Sequence, residues 1–214
     1  MTTVILIAKE PLPGKAKTRL HPPLSLEQAA ALAAAAISDT LAMLSRVAAS
    51  RRILLFDGER VPPGASDFET VAQGGGTLDE RLAAAFDGCS GPTLLVGMDT
   101  PQLESRHIAP ALTAWPDDID AWFGPATDGG FWALAMREPR GDLIRGVPMS
   151  RSDTGALQRR RLVAAGLAVG QLETLTDVDT IEDARVVATV APTTAFARLL
   201  RAQLAVDSQA ALRQ

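Results

Sequence analysis

The chain has 214 residues, of which 47% are hydrophobic and 21% charged, and its formal net charge is -4. This composition is typical of a folded globular protein, and the acidic balance argues against non-specific nucleic-acid binding, which requires a basic surface. The single cysteine, Cys89, excludes an internal disulfide bond and any cysteine-clustered metal site. No apolar run reaches about 18 residues and no signal-peptide pattern is present, so we expect a cytoplasmic protein that does not enter a membrane.

Strand-like and helical segments alternate along the chain, which is typical of βαβ units and a mainly parallel sheet. Apolar runs predict strands over Val4–Ala8, Ile53–Phe56, Phe68–Gln73, Thr93–Gly97, Ala121–Gly124, Phe131–Met136 and Ala168–Leu172. Helical periodicity and capping residues predict helices from Ser25 to about Ala49, over Thr77–Ala85, Glu104–Trp115 and Thr154–Gly166, from Thr180 onward, and over Thr193–Leu212. We therefore expect one α/β domain over residues 1–190 and a helical extension over 191–214 that docks on this domain or on a second subunit.

All three lysines of the chain, Lys9, Lys15 and Lys17, lie close together, and Arg19 follows them. They come directly after the first predicted strand, and α/β sheets bind ligands outside the carboxyl ends of their strands. Lysine is a compact charge suited to polyphosphate, and arginine can contact two phosphate oxygens at once. The segment matches neither the P-loop nor the dinucleotide fingerprint. It is either a phosphate-binding loop or a solvated basic loop.

Aspartates follow other predicted strands. Asp99 suits Mg²⁺, which takes one or two protein carboxylates together with substrate phosphates, unless it only caps the next helix. Asp177 and Asp179 point to one side of an extended segment as further metal ligands, or they complement a helix dipole. Asp128 lies in an Asp-Gly-Gly turn that is either a plain hairpin or a place for a catalytic base or a sugar contact.

Two other features have weaker signals. The run Gly74, Gly75 and Gly76 precedes a capped helix, so it is either a flexible turn or a phosphate contact through free amide groups. His21 and His107 lack metal-ligand spacing, and we expect both at the surface.

Together, five segments resemble a family of small bacterial proteins that are named as glycosyltransferases and associated with radical-SAM and selenium-related genes. The segments are AKEPLPGKAKTRL, QGGGTLDERL, GMDTPQL, GPATDGGFWALAM and TDVDTIEDA. That family belongs to the nucleotide-diphospho-sugar transferase superfamily, so the resemblance, which spans about residues 3–190, implies a three-layer αβα GT-A fold with a mainly parallel mixed sheet. Two pieces, AKTRL and DVDTIEDA, also resemble 2-phospholactate guanylyltransferases and, more distantly, molybdenum-cofactor guanylyltransferases.

The resemblance implies a role for each segment. Asp99 matches the superfamily's aspartate for Mg²⁺ or Mn²⁺, and Asp179, with Asp177 as second choice, falls where related nucleotidyltransferases place another metal ligand. Asp128 matches the turn that borders the acceptor pocket. The implied phosphate-binding set is Lys9, Lys15, Lys17, Arg19, Gly74, Gly75 and Gly76, and the catalytic set is Asp128, Lys17 and Arg19.

Three segments depart from the sequence patterns of the superfamily. Residues 7–11 replace a glycine-rich loop, Gly97-Met98-Asp99 stands in place of an Asp-any-Asp triplet, and Met149-Ser150 stands in place of a Trp-Ser pair. These departures leave the reaction type open. We expect metal-dependent glycosyl transfer from an NDP-sugar to a small-molecule acceptor. The alternatives are nucleotidyl transfer from an NTP with release of pyrophosphate, and nucleotide binding without turnover.

Overall fold

A seven-stranded sheet organises the part of the chain that the computed structural model describes, residues 1–113 and 115–211. Its strands are β1 (Thr3–Lys9), β2 (Arg51–Asp57), β3 (Glu69–Ala72), β4 (Thr93–Gly97), β5 (Ala121–Pro125), β6 (Phe131–Met136) and β7 (Val169–Gln171). The helices are α1 (Leu26–Leu44), α2 (Leu78–Asp87), α3 (Ser105–Leu112), α4 (Thr154–Ala164), α5 (Ile181–Val190) and α6 (Ala195–Ala211). The strand order is β3-β2-β1-β4-β6-β5-β7, and β6 runs antiparallel to both of its neighbours. The predicted mainly parallel mixed sheet is confirmed.

The sheet is buried on both faces because its strands are apolar at consecutive positions, as expected for a parallel sheet covered by helices. In β1, Val4 and Leu6 belong to the core on one face, and Ile5 belongs to the core on the other. Helices α1 and α3 pack on the first face, and α2 and α4 pack on the second. This is the three-layer αβα arrangement, with α5 and α6 added on the outer side of α1.

Local signals in the sequence place the helix starts. The Ser25 hydroxyl accepts a hydrogen bond from Gln28 N at 3.1 Å, and the Gln28 side chain accepts one from Ser25 N. This capping box supports the predicted start of α1. The helix ends at Leu44 rather than near Ala49, because the Arg52 guanidinium donates to the Leu44 carbonyl at 3.0 Å and the chain turns back toward β2.

The C-terminal helix α6 packs on α1 and α5 through Phe196, Ala197 and Leu200. Its first amide groups are capped from α1, because the Asp39 carboxylate accepts hydrogen bonds from the backbone N–H groups of Ala195 and Phe196, both at 2.9 Å. The helix was predicted to run to Leu212, which lies outside the described residues. No helix within the described ranges is both long and apolar enough to cross a membrane.

His107, expected at the surface, is buried in α3. Its Nδ1 accepts a hydrogen bond from Glu104 N at 3.0 Å, and its Nε2 lies 3.0 Å from Glu173 Oε2. These polar partners explain why a histidine fits there, and the burial lowers the pKa of its ring.

The burial of Phe196 predicts that α6 is part of the cooperative fold. We expect Phe196→Ala to reduce the free energy of unfolding by about 3–5 kcal/mol, the usual cost of removing a buried aromatic ring. Val190→Ala, at a position 64% exposed at the end of α5, is the control and should change stability by less than about 0.5 kcal/mol. Urea unfolding followed by circular dichroism measures both. Equal effects of the two variants would show that α6 does not dock as described.

Candidate active site

The carboxyl ends of the parallel strands open into a cleft of about 910 Å³. It lies outside the adjacent strands β1 and β4, where connections leave in opposite directions, which is where open α/β sheets bind ligands. Its size suits a small-molecule substrate. The predicted site residues that line the cleft are Lys9, Lys15, Lys17, Arg19, Asp99, Asp128, Asp177 and Asp179.

The basic and acidic segments meet at Lys17. Its ammonium lies 2.8 Å from Asp99 Oδ1 and 3.2 Å from Asp179 Oδ1, and it donates a hydrogen bond to the Val178 carbonyl. The Lys17 side chain is only 8% exposed. Burial by itself lowers the pKa of Lys17, but the attraction of Asp99 and Asp179 outweighs it, so the pKa is raised and the ammonium stays charged.

The backbone turns sharply to present this lysine. Lys17 has a φ of 51°, in the left-handed region that costs a non-glycine residue on the order of 1–3 kcal/mol. The neighbouring Ala16 is buried, and a short 3-10 turn over Thr18–Leu20 follows, in which Leu20 N donates to the Lys17 carbonyl at 3.0 Å. The loop is therefore held from both sides while Lys17 points into the cleft.

Residues 176–179 are fastened to the end of β4. Val178 N donates to the Asp99 carbonyl at 2.9 Å, and the Gln102 side chain donates to the Thr176 carbonyl at 2.7 Å. These bonds bring Asp177 and Asp179 beside Asp99, although nearly eighty positions separate them along the chain.

Asp177 is the most perturbed carboxylate of the cleft. Its Oδ1 is buried and has no hydrogen-bond partner among the described residues. Burial, and then the negative charges of Asp99 and Asp128, raise the pKa of Asp177 to about 7. A buried carboxylate oxygen without a partner is costly, and a cation at that point would relieve the cost.

The Asp128-Gly129-Gly130 turn is both a hairpin and a wall of the cleft. It connects β5 to β6, and Asp128 Oδ1 accepts a hydrogen bond from Gly130 N at 2.8 Å. Gly129 has a φ of 88°, and a Cβ there would lie 1.9 Å from the Ser152 carbonyl oxygen. The two interpretations of the sequence therefore do not exclude each other.

The other predicted cations sit around Lys17 at the mouth of the cleft. Arg19 is 77% exposed, and its guanidinium lies 3.5 Å from Asp179 Oδ2. Lys15 is exposed and Lys9 is at the end of β1, where its backbone N–H meets Met98 Sδ at 3.3 Å. Because Lys9, Lys15 and Arg19 are exposed, their positive charges are available to an anionic ligand.

The glycine run is not among the residues that line the cleft. No atom lies within 4 Å of the Cβ position of Gly74 or Gly75, and Gly76, with a φ of 95°, packs against the Glu80 side chain that caps α2. Its predicted phosphate contact remains a prediction.

Several cleft residues escaped the sequence analysis. Gln73 directly follows β3, and its side chain donates to the Ala8 carbonyl at 2.9 Å and accepts from Arg81 at 2.8 Å. The Arg81 guanidinium lies 3.8 Å from the Asp57 carboxylate. The positions of Asp57 and Gln73 at strand ends were the available signal. A second group, residues 149–152 before α4, also lines the cleft, although the sequence analysis named Met149-Ser150 only as a departure from a Trp-Ser pair; Ser150 has a φ of 58°.

Whether the cleft can hold a metal ion depends on its carboxylates. In the described ranges, no three His, Cys, Asp or Glu side chains are spaced as a ready metal site. The orphaned Asp177 Oδ1 beside Asp99 is nevertheless a suitable oxygen donor. Since Mg²⁺ takes only one or two protein carboxylates at nucleotide sites, Asp99 and Asp177 fit such an ion.

Comparisons with known proteins agree with this fold. Residues 29–151 match the model of a family described as "uncharacterized protein conserved in bacteria (DUF2064)". No curated protein matches the sequence. A crystal structure from Desulfovibrio desulfuricans G20, described as a "putative nucleotide-diphospho-sugar transferase", shares 27% identity with a TM-score of 0.83, and the match covers 97% of each chain.

Two more distant structures share the fold. CMP:2-keto-3-deoxy-manno-octonic acid synthetase, complexed with CTP, has 15% identity and a TM-score of 0.58 over 89% of this chain and 98% of its own. Glucosyl-3-phosphoglycerate synthase from Mycobacterium tuberculosis, complexed with Mn²⁺, UDP and phosphoglyceric acid, has 14% identity and a TM-score of 0.51 over 96% of this chain and 78% of its own. The nucleotide-diphospho-sugar transferase fold is thereby established.

The raised pKa of Asp177 predicts how stability depends on pH without a metal. The folded protein keeps a proton on Asp177 up to about pH 7, whereas the unfolded chain loses it near the ordinary value of 3.8. The unfolded state therefore binds fewer protons between these values, and stability falls as the pH rises through this window. We expect Asp177→Asn to be more stable than the wild type at pH 8 by an amount on the order of 1 kcal/mol or more, and to lose this advantage at pH 4.

Urea unfolding in EDTA-containing buffer at pH 4, 6 and 8 measures this effect. Asp142→Asn is the control, because the hydrogen bond from Arg140 lowers the pKa of Asp142 and its removal should give no gain at pH 8. A pH-independent difference between Asp177→Asn and wild type would contradict the assignment.

Proposed function

Because the chain belongs to the DUF2064 family of bacterial proteins and shares its fold with the D. desulfuricans protein, we propose that it is a divalent-metal-dependent transferase acting on a nucleotide substrate. The reaction we favour is glycosyl transfer from an NDP-sugar to a small-molecule acceptor. The matched distant structures contain a nucleotide, and one of them also contains Mn²⁺. A nucleotide with a divalent ion is the ligand that this proposal assigns to the cleft.

The observation that carries the proposal is the meeting of Lys17 with Asp99 and Asp179 in one cleft. A metal-bound diphosphate presents both a cation and an anion, so its site needs carboxylates and cations side by side. Lys15 and Arg19 stand at the same mouth and add positive charge. In a solvated basic loop the Lys17 ammonium would lie in water, whereas here it is buried against two carboxylates.

The carboxylates and the cations of the cleft have different roles in the proposed reaction. Asp99 and Asp177, with Asp179 adjacent, are the candidate ligands of Mg²⁺ or Mn²⁺, and the bound ion would neutralise charge on the donor's phosphates. Lys15 and Arg19 stabilise the negative charge that accumulates on the leaving nucleoside diphosphate, and Lys17 balances the charge of Asp99 and Asp179 beside it. Fixed charges aimed at developing charge are usually the largest catalytic contribution.

Asp128 is the proposed base on the acceptor side. It lines the same cleft and its charge acts on Asp177, so it could take the proton of the acceptor hydroxyl as that oxygen attacks the sugar carbon. Its backbone is fixed by the close approach of Ser152 to Gly129, so the carboxylate has a defined position.

Nucleotidyl transfer is the second candidate, and the density of cations favours it. Lys9, Lys15 and Arg19 surround the same mouth, and a pyrophosphate leaving group carries more negative charge than a nucleoside diphosphate ester. The two reactions differ in the released product, which makes them separable.

We expect a panel of NTPs and NDP-sugars, tested with and without Mg²⁺ or Mn²⁺, to raise the melting temperature only in the presence of metal. A ligand at 100 times its Kd adds about 2.7 kcal/mol of stability. A preference for NDP-sugars with release of nucleoside diphosphate supports glycosyl transfer, and release of pyrophosphate from one NTP supports nucleotidyl transfer. Binding without either product would indicate a non-catalytic nucleotide-binding protein, and no binding would refute the proposal.

Asp99→Asn should abolish the metal-dependent part of that stabilisation, because the neutral amide cannot balance a divalent ion. Asp142→Asn, which removes a carboxylate paired with Arg140 outside the cleft, is the matched control and should keep the full shift. Differential scanning fluorimetry with saturating nucleotide and Mn²⁺ measures both variants. An intact shift in Asp99→Asn would show that the metal is bound elsewhere.

A further inference from the structure

We propose that the Lys17 ammonium occupies a cation position between Asp99 and Asp179 and keeps a divalent ion out of it. Asp179 is then the partner of Lys17 and not a metal ligand, and the metal of the cleft lies on the Asp177 side of Asp99. This inference rests on the proposed function only for the presence of a metal substrate complex in the cleft.

The surroundings of Lys17 Nζ are those of a metal ion. Two carboxylate oxygens, Asp99 Oδ1 at 2.8 Å and Asp179 Oδ1 at 3.2 Å, and the carbonyl oxygen of Val178 lie around it. Carboxylate and carbonyl oxygens are the donors that Mg²⁺ and Mn²⁺ select. The structure has a set of hard oxygen donors, and an ammonium is already at their centre.

The ammonium is held there by the fold. Its side chain is almost fully buried, and the left-handed backbone of Lys17 is followed directly by the hydrogen-bonded turn over Thr18–Leu20. A divalent ion could enter only if the Lys17 side chain left its buried site and gave up its contacts with Asp99, Asp179 and the Val178 carbonyl, and the backbone that holds it would have to move as well. A divalent ion therefore competes poorly for this position.

A second position remains beside it. Asp177 Oδ1 is buried without a hydrogen-bond partner, and Asp99 and Asp128 are close enough to raise its pKa. Asp99 is common to both positions, because its Oδ1 lies 2.8 Å from Lys17 Nζ and its charge acts on Asp177. The cleft is thus arranged for one divalent ion next to one fixed ammonium, where a two-metal enzyme would place two ions.

The number of Mn²⁺ ions bound in the absence of nucleotide tests this inference. Electron paramagnetic resonance of free Mn²⁺, together with isothermal titration calorimetry, counts the ions for the wild type, Lys17→Met and Lys15→Met. Methionine keeps much of the length of lysine and removes the charge, and Lys15 is the matched control because it is exposed in the same loop. We expect Lys17→Met to bind one more ion than the wild type, and Lys15→Met to bind the same number as the wild type.

An equal count for Lys17→Met and the wild type would overturn the inference. If Lys17→Met does not give a native circular dichroism spectrum, Asp179→Asn provides the decision in a chain that keeps the lysine. It should leave the ion count and affinity of the wild type unchanged, whereas a loss of about tenfold or more in Mn²⁺ affinity, the size expected near a metal, would identify Asp179 as a ligand and refute the proposal.

This test and that of the proposed function fail separately. The ion count uses Mn²⁺ alone, so a missing extra ion in Lys17→Met leaves nucleotide binding and product release untouched. Conversely, an extra ion in a protein that binds no nucleotide would support the role of Lys17 and refute the transferase.

Discussion

The site depends on the pairing of one buried ammonium, that of Lys17, with the carboxylates of Asp99 and Asp179. The Lys17 ammonium is buried and needs the carboxylates of Asp99 and Asp179, and these carboxylates need the ammonium. Removing a carboxylate would leave the buried ammonium short of counter-charge, but Asp99 and Asp179 are 37% and 40% exposed, so water screens part of the loss and the cost is smaller than the about 3–5 kcal/mol of a fully buried pair. The contact joins the loop after β1, the end of β4 and residues 176–179, so the geometry of the cleft and the stability of three distant segments are tied to the same interaction.

The antiparallel strand explains how the Asp128 turn reaches this cleft. In a fully parallel sheet every strand would have its carboxyl end at the cleft, and the chain would cross back to the opposite edge before the next strand began. No short turn could then join two strands at the cleft. Because β6 runs against β4 and β5, the short turn at Asp128 lies at the same edge as the carboxyl ends of β1 and β4. The close packing of Gly155 and Ser152 on this turn then brings the segment before α4 to the cleft as well. One reversal of strand direction thus supplies two walls.

The sequence predicted what is encoded locally. Apolar runs and capping boxes identified the strands and the starts of α1, α2 and α5, because these signals act within a few residues. Cleft-lining residues that come after strands, such as Asp99 and Asp177, were expected from the fold class, because such sheets bind ligands outside the carboxyl ends of their strands. The contacts of Gln73 with Arg81, the burial of His107 and the end of α1 depend on tertiary partners that no local pattern contains. The contact of Lys17 with two aspartates was not predicted for the same reason, because both partners are distant from it along the chain.

Gly97 stands where the superfamily's Asp-any-Asp triplet has its first aspartate, and this departure is consistent with the balance of charge in the cleft. Gly97 lines the cleft, and a Cβ there would meet only the Trp132 carbonyl oxygen, at 3.9 Å, so packing leaves room for a side chain. A carboxylate at that position would add negative charge beside Asp99 and Asp177, where repulsion already raises the pKa of Asp177. It would need a further cation to be tolerated. Under our proposal that Lys17 fills one cation position and a single divalent ion the other, glycine at position 97 avoids a further carboxylate that would have no cation of its own.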